Sequence, residues 1–396
     1  MTAETTTSLS NFLTDMIAPL QESFPKRTVL SDELKRNTRR ENFRGLQVRV
    51  PLLLTPKQGT GGIAQTGTLN VARQLDDKAA FITMARVTHA IELSVDLIKA
   101  AEGNNFVAAG SALKLHMEQA EVGLSRVENE MLVGDGTGLL AGPVTSATTN
   151  TTLVVLGTTA NYYPLYPGRI VDIFQTGGTS VSASRTIVSA TSTSVTLDAN
   201  VTATTGSAVY IEGTFGNATQ GLKQPFATTG TFEGIDLGTV VGFRSIDGRG
   251  GSTAADLSMS ILDGSFRRVM QASGKAPDFW IGDPAAIDKF GQGLVSQFRW
   301  QPKITRLDTG WEGIDYRGTP LIPEFDIAPG ELYGINKSAI TLYGFGNGPS
   351  WDDMDGNRFR RFNRSLPVEA WLVDFLQMGI HQPNALVRMQ GLNQAA

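Results

Sequence analysis

Apolar side chains recur along residues 105–138 with the step of an α-helix. Phe106, Ala109, Leu113, Met117, Ala120, Leu124, Val127 and Met131 follow one another at intervals of three and four. That spacing lines them along one side of a helix. Lys114, Glu118, Glu121, Arg126, Glu128 and Glu130 fall largely on the other side. Lys114/Glu118 and Arg126/Glu130 stand four apart, which favours a helix by a few tenths of a kcal/mol each. At 1.5 Å per residue the element is roughly 40 Å long. It stops at Gly134-Asp135-Gly136-Thr137-Gly138, where glycine supplies a left-handed cap and lets the chain turn. A strut of this length suits a scaffold better than a reaction vessel.

Upstream the period changes to two. Leu46, Val48, Val50, Leu52 and Leu54 alternate with Gln47, Arg49 and Pro51, the signature of a half-buried strand. A second arm, Phe81 to Ser94, is rich in apolar and β-branched residues. Between them lie residues 55–80, with Pro56 and glycines 59, 61, 62 and 67. Hairpin loops usually take 2–5 residues. A connector this long is either disordered or reaches something outside its own domain.

Residues 145–214 differ again in texture. Serine and threonine fill 25 of these 70 positions, with no lysine and five charged residues. Arg185-Thr186-Ile187-Val188, Ser194-Val195-Thr196-Leu197 and Ala208-Val209-Tyr210-Ile211 are short β-runs between turn residues. The regular apolar beats predict a small all-β insertion in preference to a low-complexity linker. Residues 215–345 mix helix and strand. Leu257, Ile261, Leu262, Phe266, Val269 and Met270 predict a helix over 256–273, stopped by Gly274. Asp283 and Pro284 predict a capped helix start. Leu332-Tyr333-Gly334-Ile335 and Ile340-Thr341-Leu342-Tyr343 predict a strand pair. All five tryptophans lie between Trp280 and Trp371, placing the densest packing there. The end of the chain, 366–389, is apolar and finishes in a strand-like Ala385-Leu386-Val387.

Composition narrows the class. The chain has 396 residues, 41% hydrophobic and 18% charged, which describes an ordered globular protein of two or three packed units. A net charge of −4 supplies no global field to draw it to nucleic acid or an anionic membrane. Cysteine is absent. That excludes disulfides, thiol catalysis and thiolate metal sites, and fits a reducing cytoplasm. Residues 1–20 lack the basic start and apolar run of a signal peptide, and no stretch approaches the ~20 apolar residues of a membrane span. Residues 1–45 read as an arm, with a short amphipathic helix bounded near Pro19 and Pro25. From Lys26 to Arg49, eight basic residues face Asp32, Glu33 and Glu41, a local net of +5. A solvated surface, an arm laid on an acidic neighbour, and nucleic-acid contact explain this in that order of preference.

No candidate chemistry emerges. His89, His116 and His381 are the three histidines, each read as structural. There is no HExxH zinc pattern and no GxSxG elbow. Gly136, Gly138 and Ala141 match G-x-G-x-x-A formally, but that fingerprint must follow a strand and open a helix. Here it follows a helix, which presents carbonyls. Asp352-Asp353-Met354-Asp355-Gly356-Asn357 resembles a calcium loop. Aligning Gly356 with loop position six puts Trp351 and Phe362 where oxygen ligands are required, so a turn is the better reading. No catalytic, cofactor-binding or metal-ligating residue is assigned.

The order of these parts is itself informative. An arm, a long two-stranded excursion, a long helix through Val127-Glu128-Asn129-Glu130 into Gly134-Asp135-Gly136-Thr137-Gly138, Gly221-Leu222 in a mixed domain, and a return through Pro383-Asn384-Ala385 resemble the major capsid proteins of tailed bacteriophages. The resemblance covers essentially the whole chain. It implies an α+β fold with an N-terminal arm (1–45), an extended β-loop (46–94), a peripheral domain with its spine helix (95–139 and 346–396), and an axial domain (140–345) carrying the all-β insertion (145–214). It also implies self-assembly into pentamers and hexamers around packaged double-stranded DNA, in a virion capsid assembled in the host bacterial cytoplasm. Forty-five residues are too few for a built-in scaffolding segment. A separate scaffolding protein, a portal and optional cementing proteins are therefore the implied partners, with no membrane.

Some members cross-link a lysine of the extended loop to a neighbour's asparagine, with a buried glutamate as base. Lys57 and Lys78 lie in the matching region, and Asn347, Asn357 and Asn363 are the available acceptors. No motif singles out a pair, and the expectation is a chain without cross-links.

Two other readings compete. An encapsulin-like compartment shares the fold, though such chains are shorter and lack the insertion. A β-rich carbohydrate-binding surface protein would explain the Ser/Thr-rich segment, but lacks a signal for export.

Overall fold

The computed structural model describes residues 28–37, 39–43, 45–55, 61–63, 65–70, 76–93, 107–157, 163–175, 178–249, 254–297, 304–306, 312–345, 348–353, 356, 360–361 and 367–394. Most of the arm read at 1–45 lies outside them. So do Trp300 and Trp311.

Four α-helices are described: α1 (Val29–Asn37), α2 (Val107–Val133), α3 (Met259–Ser273) and α4 (Pro284–Gln297). Helix α2 is the predicted spine. From residue 116 onward, Ala120, Leu124 and Met131 point into the core, as the apolar stripe requires. The last two turns are buried nearly all round. Arg126, Glu128, Asn129 and Glu130 are inside the protein, not on a solvated face. An i,i+4 ion pair looks the same in sequence whether water or protein surrounds it, so the pattern alone gave no warning.

The strand reading near the start needs a correction. The arm read at 81–94 is two strands in two different sheets. Asp76–Thr83 pairs antiparallel with Gln47–Thr55, whereas Val87–Leu93 pairs with Val368–Asp374, far along the chain. The short break at 84–86 carries no glycine or proline to announce it.

A seven-stranded mixed sheet lies between two of the hydrophobic cores. Its order is Ile246–Asp247, Val387–Met389, Leu332–Ile335, Phe279–Gly282, Thr319–Pro323, Glu312–Tyr316 and Ile304–Arg306. Both faces are covered, so Phe279–Gly282 is apolar throughout. Phe279 and Ile281 pack into one core with α1 and the end of α2, and Trp280 packs into another with α3 and α4. Ser258 accepts from the Ile261 N–H and Gly274 caps the other end of α3 at φ 72°. Asp283 accepts from the Ala285 N–H, as predicted for the start of α4.

Leu332–Ile335 and Ile340–Gly344 are not a pair. The second belongs to a three-stranded sheet with Arg39–Asn42 and Leu376–Ile380.

The Ser/Thr-rich region is all β. Six strands between Leu139 and Ile211 form one antiparallel sheet around Val154, Val171, Ile173, Ile187, Val195, Leu197 and Val209. In Ser194–Ala203, Val195, Leu197, Val201 and Ala203 are buried among half-buried and exposed polar neighbours. Apolar beats point inward, and hydroxyl residues supply β-propensity at the surface without cost.

Candidate assembly surfaces

The hairpin of Gln47–Thr55 and Asp76–Thr83 lays one face on the core and leaves the other, on which Leu53 and Phe81 stand among polar residues, exposed. Their register sets Val48 opposite Ile82 and Val50 opposite Ala80. Leu52, Ala80 and Ile82 are buried against the body of the chain. On the opposite face Leu53 is 61% exposed and Phe81 40%, with Leu46 at 70% just before the strand. Further out, residues 61–63 and 65–70 are all exposed, Leu69 at 84%. Asn70 donates to the Gly61 carbonyl (3.1 Å), holding the two legs together. Each leucine left bare forgoes about 1.5–3 kcal/mol that burial would return.

The root of this hairpin is clasped by Glu233. Glu233 and Gly234 form the tight turn between Thr231–Phe232 and Ile235–Asp236, at φ 50° and 79°, the left-handed pair that two-residue hairpin turns require. The Glu233 carbonyl accepts from the Phe81 N–H (2.8 Å). Its buried side chain accepts from the Ile380 N–H through Oε1 (2.8 Å). Burial pushes this carboxyl up to about 8, which favours its neutral form. Nothing in the local sequence marks a glutamate in a turn as buried.

A second clasp joins the spine to the β-domain. Glu130 accepts from Arg169 (Nη1 to Oε1, 2.7 Å) and lies 3.3 Å from Arg126 Nε. Arg169 also donates to the Pro164 carbonyl (2.7 Å), and Arg126 stacks 4.3 Å over the Tyr166 ring. A cleft of about 670 Å³ opens here, lined by His89, Gln119, Arg126, Tyr166 and Glu212 among others. Its buried guanidinium groups are committed to Glu130.

The glycine loop has a structural explanation. The spine ends in free carbonyls. Leu222 N–H donates to Leu132 O (2.8 Å) and Lys223 N–H to Gly134 O (3.0 Å). Gly136 and Gly138 take φ of 79° and 78°, and side chains there would strike Gln224 and Thr214. The loop's Gly134 N–H is taken by the Glu130 carbonyl (3.0 Å) and its Thr137 N–H by Asp135 Oδ1 (3.0 Å). It hands the helix over to Leu139–Ala141 of the β-domain.

The remaining sequence candidates are dispersed. Burial lowers the pKa of His89, which rests against Gly123 of α2. His381 Nε2 meets Tyr343 Oη at 3.1 Å. Asp352 pairs with Arg360 (3.2 Å), and Gly356 N–H donates to Asp353 O (2.7 Å), the geometry of a turn. Lys78 is exposed on the hairpin. Lys57, Asn347, Asn357 and Asn363 lie outside the described residues. Among the described residues, no group of three or more His, Asp or Glu side chains is placed to hold a metal, and no helix is long and apolar enough to cross a membrane.

No protein-family model matches the chain, and no curated protein matches it in sequence. Solved structures do. The capsid asymmetric unit of cyanophage A-1(L) superposes with a TM-score of 0.62 at 14% identity, covering 98% of this chain and 100% of that one. An encapsulin complex from Synechococcus elongatus PCC 7942 gives 0.48 at 12%, covering 100% and 99%. The capsid chain of Mycobacterium phage Ogopogo gives 0.48 at 10%, covering 96% and 98%. Of these three, the cyanophage subunit is similar enough to define the fold. Over its described residues the chain shares the fold of that phage capsid subunit, as the resemblance implied.

Proposed function

We propose that this chain is the structural, non-enzymatic subunit of a protein shell: a major capsid protein that self-assembles into pentamers and hexamers around packaged double-stranded DNA. The observation that carries the reading is the hairpin, set in a whole-chain capsid fold. One of its faces completes the subunit's own core, and the other keeps Leu53 and Phe81 exposed. Contacts of this kind, repeated head to tail around an axis, close into rings. The net charge of −4 suits a container, because a strongly basic wall would hold dense DNA irreversibly.

In this reading 46–94 works as the extended loop that crosses to the next subunit. The region 95–139 with 346–396 forms the peripheral domain, and 140–345 forms the axial domain carrying the β-insertion 145–214. A separate scaffolding protein and a portal complete the assembly, in a bacterial cytoplasm, and the subunits are not cross-linked.

An encapsulin-like compartment is the second reading, because the same fold serves both. Purification of particles after expression, followed by assay of their contents, separates the two. Nuclease-protected DNA in particles made alongside the packaging machinery supports the capsid. A uniform enzyme cargo without DNA supports the compartment. Soluble monomers with neither refute both.

A further inference from the structure

The end of the spine helix gathers buried carboxyl groups from four elements. Glu128 of α2 is fully buried, and so is Asp374, the last inward-facing residue of the strand Val368–Asp374. The two face each other, and the Lys35 ammonium of α1 reaches Glu128 from the other side. On the next residue of the helix, Asn129 Oδ1 accepts from the Ser31 N–H at the start of α1 (2.9 Å), and Asn129 donates to Asp326. The fully buried Glu324 takes N–H groups of Val29, Leu30 and Asp326. Glu33 of α1 pairs with Lys337. Two carboxylates in contact inside a low-dielectric core cannot both stay ionised at modest cost.

We propose that this joint is a proton-operated latch: the Glu128–Asp374 pair binds a proton when α1, the spine helix and the strand 368–374 close on one another, and releases it when they part. The axial segment 323–331 is tied into the same latch through Glu324 and Asp326.

Glu128 faces Lys35 from α1 and Asp374 from the strand. Asp326 faces Glu130, Glu324 and Arg126. Glu130 in turn faces Arg126 and Arg169. Burial, reinforced by Asp374 and opposed by Lys35, raises Glu128 to about 7. Burial raises Glu324 to about 7 as well. A carboxyl raised in the closed state and ordinary in the open one favours closure at low pH. The latch is therefore tightest below the ordinary carboxylate value of 4.5 and weakens as pH rises through 7.

Hydrogen exchange of the full-length chain, corrected for intrinsic exchange, tests this. Amides of α1 should open at least about tenfold more readily at about pH 8.5 than at about pH 5.5. Glu128→Gln and Asp374→Asn should each flatten that dependence. An infrared titration of the Glu233→Gln chain, which removes the other buried acid near 8, should show protonated carboxylic acid near pH 6 that declines as pH rises through 7, and adding Glu128→Gln should reduce it. Equal corrected protection at both pH values, or an unchanged pH dependence in both variants, overturns the latch. Should either variant fail to fold, absence of the protonated band from the Glu233→Gln chain overturns it alone.

Discussion

Gly221 lies directly on the carbonyl of Gly134. A Cβ at Gly221 would stand 2.1 Å from that oxygen and 3.0 Å from Met131 O. The segment after the β-domain thereby closes on the end of the spine helix, and its next two N–H groups satisfy carbonyls the helix leaves open. That contact requires glycine at 221, whereas a Cβ at Gly134 would meet the Glu130 and Met131 carbonyls of its own helix at 3.1 and 3.2 Å.

Gly221→Ala therefore displaces backbone, not a movable side chain. It should lower stability by about 1–3 kcal/mol, the cost of overpacking a tight site. Gly264→Ala, in helix α3 with open space around its Cβ position, should be neutral or raise stability by up to about 1 kcal/mol. Chemical denaturation of the two variants checks the contrast.

The Glu130 clasp holds two guanidinium groups in a buried site. Arg169→Met leaves Glu130 with Arg126 as its remaining cation and removes the tie to the β-domain. A loss of about 3–5 kcal/mol is expected, as for other broken buried pairs, with faster proteolysis between residues 157 and 169. Unchanged stability would show that the clasp is incidental.

Glu233 gives a pH signature. Its folded-state value near 8 stands above the ordinary 4.5, so the folded chain binds a proton that the unfolded chain lacks between those limits. Stability should fall as pH rises from 4.5 to 8, by at most roughly 1.4 kcal/mol per pH unit from this group. Glu233→Gln keeps the acceptor for Ile380 and should flatten the slope, measured by denaturation across that range.

Denaturing electrophoresis of mature particles should give one monomer band. A ladder of multimers would show that the hairpin lysines are covalently joined to neighbours.

The sequence was most legible where the signal is local and periodic. The stripe from Ala109 to Met131 delimits α2 to within a few residues, and the Val/Ile/Leu beats of 145–214 give a β-domain. Asp283 and Gly274 mark helix ends because caps are local chemistry. What depends on distant partners was hidden. Nothing near Val87 announces pairing with Asp374, and nothing near Glu128 announces burial between Lys35 and that same aspartate. Glu233 looks like any polar turn residue. The alternation of 46–54 revealed a strand but not that its odd-numbered face stays bare.

That bare face is where the central claim is most exposed to test. Electron cryomicroscopy of the assembled full-length chain, beside Leu53→Asp, measures it directly. The unmodified chain should form closed shells of five- and six-fold rings, with Leu53 and residues 61–70 covered by the adjacent subunit. Leu53→Asp should fold normally but assemble poorly. A monodisperse monomer at high concentration, with or without helper proteins, or shells in which the hairpin touches no neighbour, would contradict the proposal.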